Sequence, residues 1–279
     1  YQQLSTRGAE LELLDKQQTN QRIGSSKFFG ALFNKSAGTI NPLSYCIGLA
    51  LAAQSKGANI YETTLATKIQ SINGHWLIKT TEGSIKAKML LIATNAYQQP
   101  IKGIKSPEYT SVHYFQVATN PLPEKDTKMI LPNGEGCWDT ASVMSSFRLD
   151  EDNRLIIGGV GNLGHGASKI HTNWARRKIK SLFPNLKNIP IEYNWHGRIA
   201  MTANHIPKIQ KLGNNAYSIF GFSGRGIGPG TYFGKAVVES LLSGDENSLP
   251  VTPMSQNKEH FRSIKSKAFE LGATARHLL

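Results

Sequence analysis

Four glycines occupy alternate positions in one short segment, Gly224, Gly226, Gly228 and Gly230. Without a Cβ atom, a residue can adopt positive φ and let a ligand come close to its backbone. The N–H groups of such a loop, together with those of a following helix N-terminus, can bind a phosphate or a delocalised oxyanion. The segment therefore predicts an anion-binding loop. The alternative is a tight strand-to-helix turn whose glycines serve packing alone.

The elements on either side of these glycines follow from their side chains. Residues 216–222 have the aromatic and β-branched content of a short buried strand. From Thr231 onward apolar residues recur at helical spacing, and Gly244 stands where a glycine commonly ends a helix. The side chains expected on the buried face are Phe233, Ala236, Val237, Ser240 and Leu241.

A second helix is predicted to follow Asn41, whose side chain can cap a first turn that contains Pro42. Gly57 is expected to end this helix, and residues 58–62 to begin a strand. The expected buried stripe consists of Leu43, Ile47, Ala50 and Leu51.

A hairpin is predicted to turn at Glu82 and Gly83, and its second arm is expected to run into the apolar residues 89–93. Ala93, Thr94 and Asn95 follow where that strand should end. Open α/β sheets bind ligands at the carboxyl ends of their strands, so these small residues are candidates for a binding site. The alternative is an ordinary turn at the end of a strand.

The middle of the chain predicts a mixed sheet covered by a helix, and no continuation of alternating strand–helix units. The strand-like segments are residues 112–118, 137–147, 155–159 and 191–200, and the helix is residues 171–183.

The composition, with 39% hydrophobic and 18% charged residues among 279, is typical of a globular protein. No apolar run approaches the length of a membrane span, and the first residues lack the features of a signal peptide. They read as the middle of a helix, as if cut from a longer chain. Cys46 and Cys137 lack the spacing of metal ligands, so we expect no metal site and a reducing, cytoplasmic location.

The formal net charge of +13 would suit nucleic acid, an anionic membrane surface or an acidic ligand. The densest basic cluster, residues 176–180, surrounds one face of a predicted helix and is typical of a solvated surface. No RNA- or DNA-binding motif accompanies it, so the sequence does not favour nucleic acid as a partner.

Five segments, in this order, resemble a known family. They are "SAGTINPLSYCIGLALAAQSKGANIYETTLATKI", "GSIKAKMLLIATNAY", "NRLIIGG", "WHGRIAMTANHIPKI" and "GFSGRGIGPGTYFGKAVVESLLSG". Together they resemble the D-amino-acid-oxidase-type superfamily of FAD-dependent amine oxidoreductases. Within it they are most similar to the γ-glutamylputrescine oxidase branch, with sarcosine and glycine oxidases as more distant relatives.

This resemblance implies an α/β fold of mixed α+β character. A Rossmann-like FAD/NAD(P)-binding domain would be interleaved with a mixed-sheet substrate domain. The implied cofactor is FAD, and the implied reaction oxidises the C–N bond of a small amine or amino acid to an imine by hydride transfer to the flavin. Covalent and noncovalent flavin both occur among such enzymes; neither cysteine lies in a recognisable attachment segment, which favours noncovalent FAD.

The resemblance also assigns cofactor contacts residue by residue. Ala66 would meet the adenine through its backbone, Ala93, Thr94 and Asn95 would line the diphosphate and ribose, and the last glycine loop would contact the flavin ring. The residues of that loop are Gly224, Arg225, Gly226, Ile227 and Gly228. No catalytic triad or acid–base pair is expected, because the flavin takes the hydride and the protein supplies binding, orientation and electrostatics.

An acidic substrate would need a cationic partner, and the candidates are Arg148, Arg198 and Arg225. Arg148 lies near a predicted strand end beside Asp150, which favours a structural role for it. The alternative role for Arg198 is a salt bridge or a contact with backbone carbonyls. Aromatic substrate contacts are expected from Tyr97, Phe147 and Trp195, although aromatic residues in strands more often belong to the core.

The chain departs from the family pattern at three places. The N-terminal GxGxxG unit that would hold the adenine and pyrophosphate is missing. Arg225 stands where the family often has histidine, and Asn204 stands where it often has aspartate. The predicted FAD-binding domain therefore comprises residues 38–99 and 191–250 without its first βαβ unit. The substrate domain comprises residues 1–37 and 100–190, and residues 251–279 form a helical tail.

Two classes of function agree with this sequence. The first is an FAD-dependent amine or amino-acid oxidoreductase that acts on a small molecule. The second is a non-catalytic basic remnant or subunit of the same fold that binds a partner or RNA. The amine, the electron acceptor and the oligomeric state remain open at this point.

Overall fold

The computed structural model describes residues 1–164 and 166–279. Its α-helices are α1 (Gln2–Ser5), α2 (Lys16–Ile23), α3 (Pro42–Ser55), α4 (Glu124–Thr127), α5 (Ser168–Leu182), α6 (Ile227–Ser243) and α7 (Arg262–Leu278). Three 3-10 turns lie at Asn95–Tyr97, Pro184–Leu186 and Glu246–Ser248.

The strands are short, apart from two long ones that lie in the same sheet. They are β1 (Leu11–Leu14), β2 (Ala31–Asn34), β3 (Ala66–Ile72), β4 (His75–Thr80), β5 (Ser84–Ala87), β6 (Leu90–Ile92), β7 (Thr110–Pro121), β8 (Cys137–Trp138), β9 (Ser145–Leu149), β10 (Arg154–Val160), β11 (Ile191–Met201), β12 (Lys208–Gly213) and β13 (Ala216–Phe220).

The chain forms two compact units, each built from separate stretches of sequence. Unit 1 comprises Tyr1–Tyr45, His113–Gly197 and Phe269–Leu279, and unit 2 comprises Cys46–Val112 and Arg198–Ala268. These bounds differ from those predicted, and the predicted tail, residues 251–279, is divided between the units. The predicted roles, one unit for the cofactor and one for the substrate, stay predictions.

Unit 1 is organised around a five-stranded sheet with the order β11-β7-β10-β9-β8. β10 pairs antiparallel with both β7 and β9. The apolar face of α5 contributes Ala175, Ile179 and Leu182 to the same buried cluster as residues of β7 and β10. The helix therefore has a partner surface, as its helical spacing of apolar residues predicts.

Unit 2 contains two three-stranded sheets, β12-β13-β6 and β3-β4-β5. The hairpin predicted to turn at Glu82 and Gly83 is confirmed by the antiparallel pair of β4 and β5. Its second arm ends at Ala87, however, and the following apolar run forms β6, which pairs parallel with β13. All five residues of β13 are buried, so β13 offers this apolar segment a neighbour inside a core.

The predicted helix after Asn41 forms, but its packing differs from the prediction. The Asn41 side chain accepts hydrogen bonds from the N–H groups of Leu43 and Ser44, both at 3.1 Å, which confirms the cap. The expected buried stripe is wrong, because no residue of α3 is buried and Leu43, Ile47 and Leu51 are 68%, 50% and 61% exposed.

The predicted strand at residues 58–62 is also wrong, because that segment has no regular secondary structure. A strand needs a neighbouring strand to satisfy its backbone groups, and an apolar stripe needs a second surface. Within the described residues, neither α3 nor this segment has that neighbour.

Candidate functional site

The carboxyl ends of two parallel strands, β6 and β13, provide the starting point of the site. Parallel strands end at the same edge of a sheet, where ligands commonly bind. Asn95 follows β6 and Gly221 follows β13, and the Asn95 Oδ1 atom accepts a hydrogen bond of 3.0 Å from the Gly221 N–H group. The structure therefore brings one predicted site residue, Asn95, into direct contact with the start of the glycine-rich segment.

The glycine-rich segment turns sharply before it becomes helical. Gly221, Ser223 and Gly224 have φ values of +82°, +51° and +86°. Gly226 has a φ of −84° and is the N-cap of α6, which begins at Ile227. The prediction of a helix beginning near Thr231 is therefore wrong, because Gly228 and Gly230 already lie in the helix.

The resemblance implies that a Cβ atom on Gly226 or Gly228 would either clash with the flavin ring or forbid the backbone angles. The second reason is wrong, since neither residue has a positive φ. Pro229 lies in the first turn of α6, where the missing proline N–H group costs no helical hydrogen bond. The rest of the prediction for this helix is confirmed. Gly244 ends it with a φ of +76°, and its buried residues are the five expected, Phe233, Ala236, Val237, Ser240 and Leu241.

The N-terminus of α6 carries little besides backbone. Its N-cap, Gly226, has no side chain to accept a hydrogen bond, and the first turn contains no acidic residue. A Cβ atom placed on Gly226, Gly228 or Gly230 would meet no atom within 4 Å. The first N–H groups of a helix have no partner inside the helix, and they lie at its positive end. This open surface fits the polar edge of a flavin ring or another electron-rich group.

The preceding residues are fixed by the end of β11. The Ser223 N–H group donates to the Ala200 carbonyl oxygen at 3.0 Å, and the Thr202 N–H group donates to the Ser223 hydroxyl at 3.3 Å. A Cβ atom on Gly221 would lie 2.4 Å from the Cγ2 atom of Thr202, a buried residue. The backbone here therefore admits only glycine without rearrangement.

Arg198 and Tyr97, two predicted substrate residues, lie together in unit 2. The Arg198 N–H group donates to the Tyr97 hydroxyl at 2.9 Å, and its guanidinium group lies 4.7 Å from the centroid of the Tyr97 ring. Both side chains are exposed. Within the described part of the chain, the arginines that pair with carboxylates are Arg22, Arg154 and Arg262. Arg198 is therefore a cation whose neighbour is an aromatic ring.

Tyr109 adds a second phenol near this cation. Burial raises the pKa of Tyr109, and the positive charges of Arg198 and Arg262 act in the opposite direction. Its ring also lies near Phe220, the last residue of β13, with 6.4 Å between the ring centroids. No motif or spacing in the sequence selects Tyr109.

The remaining predicted substrate residues belong to unit 1. Phe147 is 2% exposed and packs against Phe28 and Phe183, so the structure contradicts a substrate contact and places this ring in the core. Its position in β9 faces the cluster that α5 covers. Trp195 is an exposed residue of β11. Arg148 approaches the Gln116 side chain at 3.5 Å.

Two cofactor candidates, Ala66 and Arg225, lie in different sequence stretches of unit 2. Ala66 is the first residue of β3 and pairs with Thr80 of β4. Arg225 is exposed, and its N–H group closes a turn by donating to the Phe222 carbonyl oxygen at 2.9 Å. Ala93 and Thr94 are exposed beside Asn95. Their contacts with a cofactor remain predictions.

Neither a metal centre nor a membrane span is found among residues 1–164 and 166–279. No three His, Cys, Asp or Glu side chains in these ranges form a group that could hold a metal ion. No helix described there is both long and apolar enough to cross a membrane. Both cysteines are free thiols, and burial raises the pKa of Cys137 to about 12.

Comparison with known proteins places the chain in a family. The profile of the FAD dependent oxidoreductase family, the D-amino-acid-oxidase type, matches residues 1–240. The chain belongs to this family, whose cofactor is FAD.

Several curated relatives are 30% or more identical to this chain over the matched residues. A probable oxidoreductase, OrdL, from Haemophilus influenzae is 31% identical over 241 residues, which cover 85% of this chain and 55% of that protein. The gamma-glutamylputrescine oxidoreductase of Escherichia coli is 30% identical over 241 residues, with the same coverage of 85% and 55%. The chain therefore spans about half the length of these relatives.

Solved structures confirm the fold. The L-proline dehydrogenase of P. horikoshii has a TM-score of 0.75 at 23% identity, and the match covers 88% of this chain and 68% of that one. The glycine oxidase of Geobacillus kaustophilus has a TM-score of 0.75 at 18% identity, with coverage of 93% and 70%. The predicted mixed α/β flavoprotein fold is thus confirmed.

Proposed function

We propose that the chain is the ring-facing and substrate-facing part of an FAD-dependent oxidoreductase that oxidises the C–N bond of a small amine or amino acid. The observation that carries this proposal is the edge where β6 and β13 end. There, Asn95 holds Gly221, and the chain then enters α6 through a helix N-terminus that has no side-chain cap. The family's cofactor and the relatives' names agree with this class of chemistry.

FAD, when bound, would accept the hydride that leaves the carbon of the amine. The chain's own contribution would be to hold the ring and to stabilise the negative charge that reduction places on it. The backbone N–H groups at the start of α6 are suited to this because the positive end of the helix dipole lies there. Arg225 would add a positive charge that persists at every physiological pH.

Arg198 is our candidate for binding a substrate carboxylate. A guanidinium group binds a carboxylate through charge-assisted hydrogen bonds, and the described structure gives Arg198 no carboxylate of its own. The Tyr97 ring under the guanidinium group would keep the side chain in place through a cation–π contact. Among the relatives, glycine oxidase and L-proline dehydrogenase are named for substrates that carry such a carboxylate.

The substrate proposal is tested in the protein with its upstream strand–GxGxxG–helix unit restored, using matched pairs of amines, glycine against glycinamide and proline against prolinamide. Arg198→Ala should raise KM for each acid by roughly tenfold or more and leave the amides nearly unchanged, because it removes a binding contact that only the acids make. Arg176→Ala, which removes an exposed arginine of α5, is the control. Equal changes for acids and amides would show that Arg198 has a structural role.

The cofactor proposal is tested by the reading frame around this chain and by FAD titration. A catalytic protein should encode a strand–GxGxxG–helix unit in frame with Tyr1, because the diphosphate needs the N–H groups of such a unit. Without that unit, the 279-residue chain should bind FAD poorly. Tight, stoichiometric binding of FAD by the chain alone would contradict this assignment of the diphosphate site.

A second candidate is a non-catalytic subunit of the same fold that works by binding a partner. The observation that favours it is the uncovered apolar surface of α3, together with a match to about half of the relatives' length. Exposed apolar surfaces of this kind commonly mark interaction sites. A reading frame without the glycine-rich unit, in an expressed and folded chain, would favour this second function.

A further inference from the structure

Asn95 has a backbone conformation that asparagine tolerates better than most residues. Its φ is +45°, in the left-handed region that disfavours most side chains with a Cβ atom. It follows β6 directly after Ala93 and Thr94 and begins a 3-10 turn. From this position its Oδ1 atom reaches the N–H group of Gly221, a residue 126 positions away in the sequence.

The segment that Asn95 contacts contains several left-handed residues, of which only Ser223 carries a Cβ atom. Three residues, Gly221, Ser223 and Gly224, have positive φ within four positions. The Ser223 N–H group bonds to Ala200, and the Arg225 N–H group closes the local turn. Uncommon backbone angles persist only where surrounding contacts determine them. The hydrogen bond from Gly221 to Asn95 is the contact that ties the beginning of this segment to β6.

We infer that Asn95 is a positioning residue: its side-chain oxygen sets the conformation of the segment Gly221–Gly226 and so the direction in which the chain enters α6. The sequence suggested a direct contact between Asn95 and the cofactor, whereas here its oxygen is engaged with Gly221. The inference about the backbone conformation is independent of the proposed function. It rests on that function only where it takes FAD to be the ligand that the segment Gly221–Gly226 would contact.

The experiment compares three substitutions at Asn95 in the 279-residue chain. Asn95→Ala removes the oxygen and keeps the backbone strain, Asn95→Gly removes the oxygen and relieves the strain, and Asn95→Asp keeps an acceptor oxygen. The matched control is Asn73→Ala, since Asn73 has a φ of +50° in the turn between β3 and β4. This control measures what alanine costs at a left-handed asparagine elsewhere in the same unit.

Two measurements report on the segment itself. The first is amide hydrogen exchange of residues 221–226, with β10 in unit 1 as the internal reference for global stability. The second is native-state trypsin cleavage after Arg225, which is exposed in the folded chain. Both become faster when the segment opens more often.

Asn95→Ala should accelerate exchange and cleavage by roughly tenfold, and Asn95→Gly by roughly fivefold, because each loses the hydrogen bond. Asn95→Asp should restore both rates to within about twofold of the original chain, since its carboxylate can accept the same bond. Exchange in β10 and both rates in the Asn73→Ala control should stay unchanged. Original rates in Asn95→Gly, or no rescue by Asn95→Asp, would overturn the inference.

FAD titration of the same variants, each joined to an upstream strand–GxGxxG–helix unit that holds the diphosphate, separates this inference from the proposed function. A more open segment with weaker FAD binding would support both. A more open segment with unchanged FAD binding would support the positioning role of Asn95 and contradict the proposal that this segment faces the flavin ring. An unchanged segment would overturn the positioning role whatever the FAD affinity.

Discussion

α5 and α3 have nearly the same length, 15 and 14 residues, but only α5 has buried side chains. α5 is the more polar of the two and nevertheless buries five residues. α3 is apolar on most sides and buries none. Apolar content therefore does not separate the buried helix from the exposed one.

The difference lies in what each helix has to pack against. α5 shares a core with the five-stranded sheet of unit 1, and its Ile179 lies in the same cluster as Phe115 and Ile157. For α3 the described chain provides no covering surface. Sequence periodicity identifies the face that can be buried, whereas burial itself depends on tertiary packing. The chain spans about half the length of its curated relatives.

The largest expected difference comes from the same substitution in both helices. Ile179→Ala in α5 should lower the free energy of unfolding by about 3 kcal/mol, because it leaves a cavity in a packed core. Ile47→Ala in α3 should change it by less than about 0.5 kcal/mol, since Ile47 is half exposed and alanine favours the helix. Denaturant unfolding of both variants provides the measurement.

An equal loss of stability in both variants would contradict the comparison. It would mean that Ile47 is covered in solution, for example by a second copy of the chain. Light scattering of the original chain and of Ile47→Lys would then identify the oligomer, because a lysine in an apolar interface should dissociate it.

A pair of buried histidines gives α5 a second packing partner, α7, which α3 does not have among the described residues. His171 of α5 and His277 of α7 are fully buried, with 2.7 Å between their Nδ1 atoms. Burial lowers the pKa of both imidazoles. It lowers the pKa of His277 to about 4, to which the charges of His171 and Arg177 also contribute, while Glu270 acts to raise the pKa of His171.

This pair predicts a loss of stability in mild acid. Because the folded chain binds these protons more weakly than the unfolded chain does, stability is lost as the pH falls from about 6.5 toward 4. The expected loss is about 2 kcal/mol at pH 4 relative to pH 7. His277→Gln should reduce this pH dependence, and His260→Gln, which alters an exposed histidine, should retain it. The same slope in all three proteins would contradict a role for the buried pair.

Much of unit 1 could be predicted from the sequence, because its partners lie within the chain. The segments expected at residues 155–159 and 171–183 correspond to β10 and α5. Period-2 and period-3.6 patterns suffice where a sheet and its covering helix are both present. The five buried residues of α6 were predicted for the same reason, since α6 packs on β13 and buries Phe233 and Val237 there.

The failures share a physical cause, which is that the deciding partner is distant in sequence or is not found among the described residues. Residues 58–62 have strand-like composition but no strand beside them. The apolar run after Ala87 does not continue the hairpin. It pairs instead with β13, a parallel strand more than 120 positions later, where Ala216 lies opposite Leu90. Phe147 was selected as an aromatic ring near a possible site, and only tertiary structure shows that it faces α5.

Among the site residues, the sequence indicated Asn95 and Arg198 but not their partners. Asparagine adopts left-handed backbone angles more readily than most residues, and Asn95, which follows β6 after Ala93 and Thr94, has such a conformation. Its contact with Gly221 depends on strand order, which short-range patterns do not encode. The contact between Tyr97 and Arg198 has the same origin.

Two glycines with positive φ differ in the same way as the two helices, since one is closely packed and the other is surrounded by open space. At Gly221, φ is +82° and an added Cβ atom would lie 2.4 Å from Thr202 Cγ2. At Gly57, φ is +91° and no atom lies within 4 Å. Gly221→Ala should therefore cost about 2 kcal/mol of unfolding free energy, through both strain and contact, and Gly57→Ala about 1 kcal/mol through strain alone. Equal costs in urea unfolding would show that Thr202 moves freely to accommodate the methyl group.

The smallest effect on stability is expected at Gly226. A substitution there should change FAD binding and leave the free energy of unfolding nearly unchanged. Its φ of −84° is ordinary for any residue, and an added Cβ atom meets nothing within 4 Å. Gly226→Ala should thus leave the free energy of unfolding within about 0.5 kcal/mol of the original, or raise it slightly by restricting the unfolded chain.

The same methyl group would nevertheless occupy the open surface at the start of α6 where we propose that the flavin ring lies. Gly226→Ala should therefore weaken FAD binding, and Gly226→Val should weaken it further, while both proteins unfold normally. FAD titration of these variants joined to the upstream strand–GxGxxG–helix unit, beside urea unfolding, provides the measurement. Gly234→Ala, which also meets no atom within 4 Å, is the control in the middle of α6. If both Gly226 variants bound FAD as tightly as the protein with the original Gly226, the proposal that the flavin ring lies at the start of α6 would be contradicted. Folding offers no other reason for a glycine here, because the space around Gly226 is open.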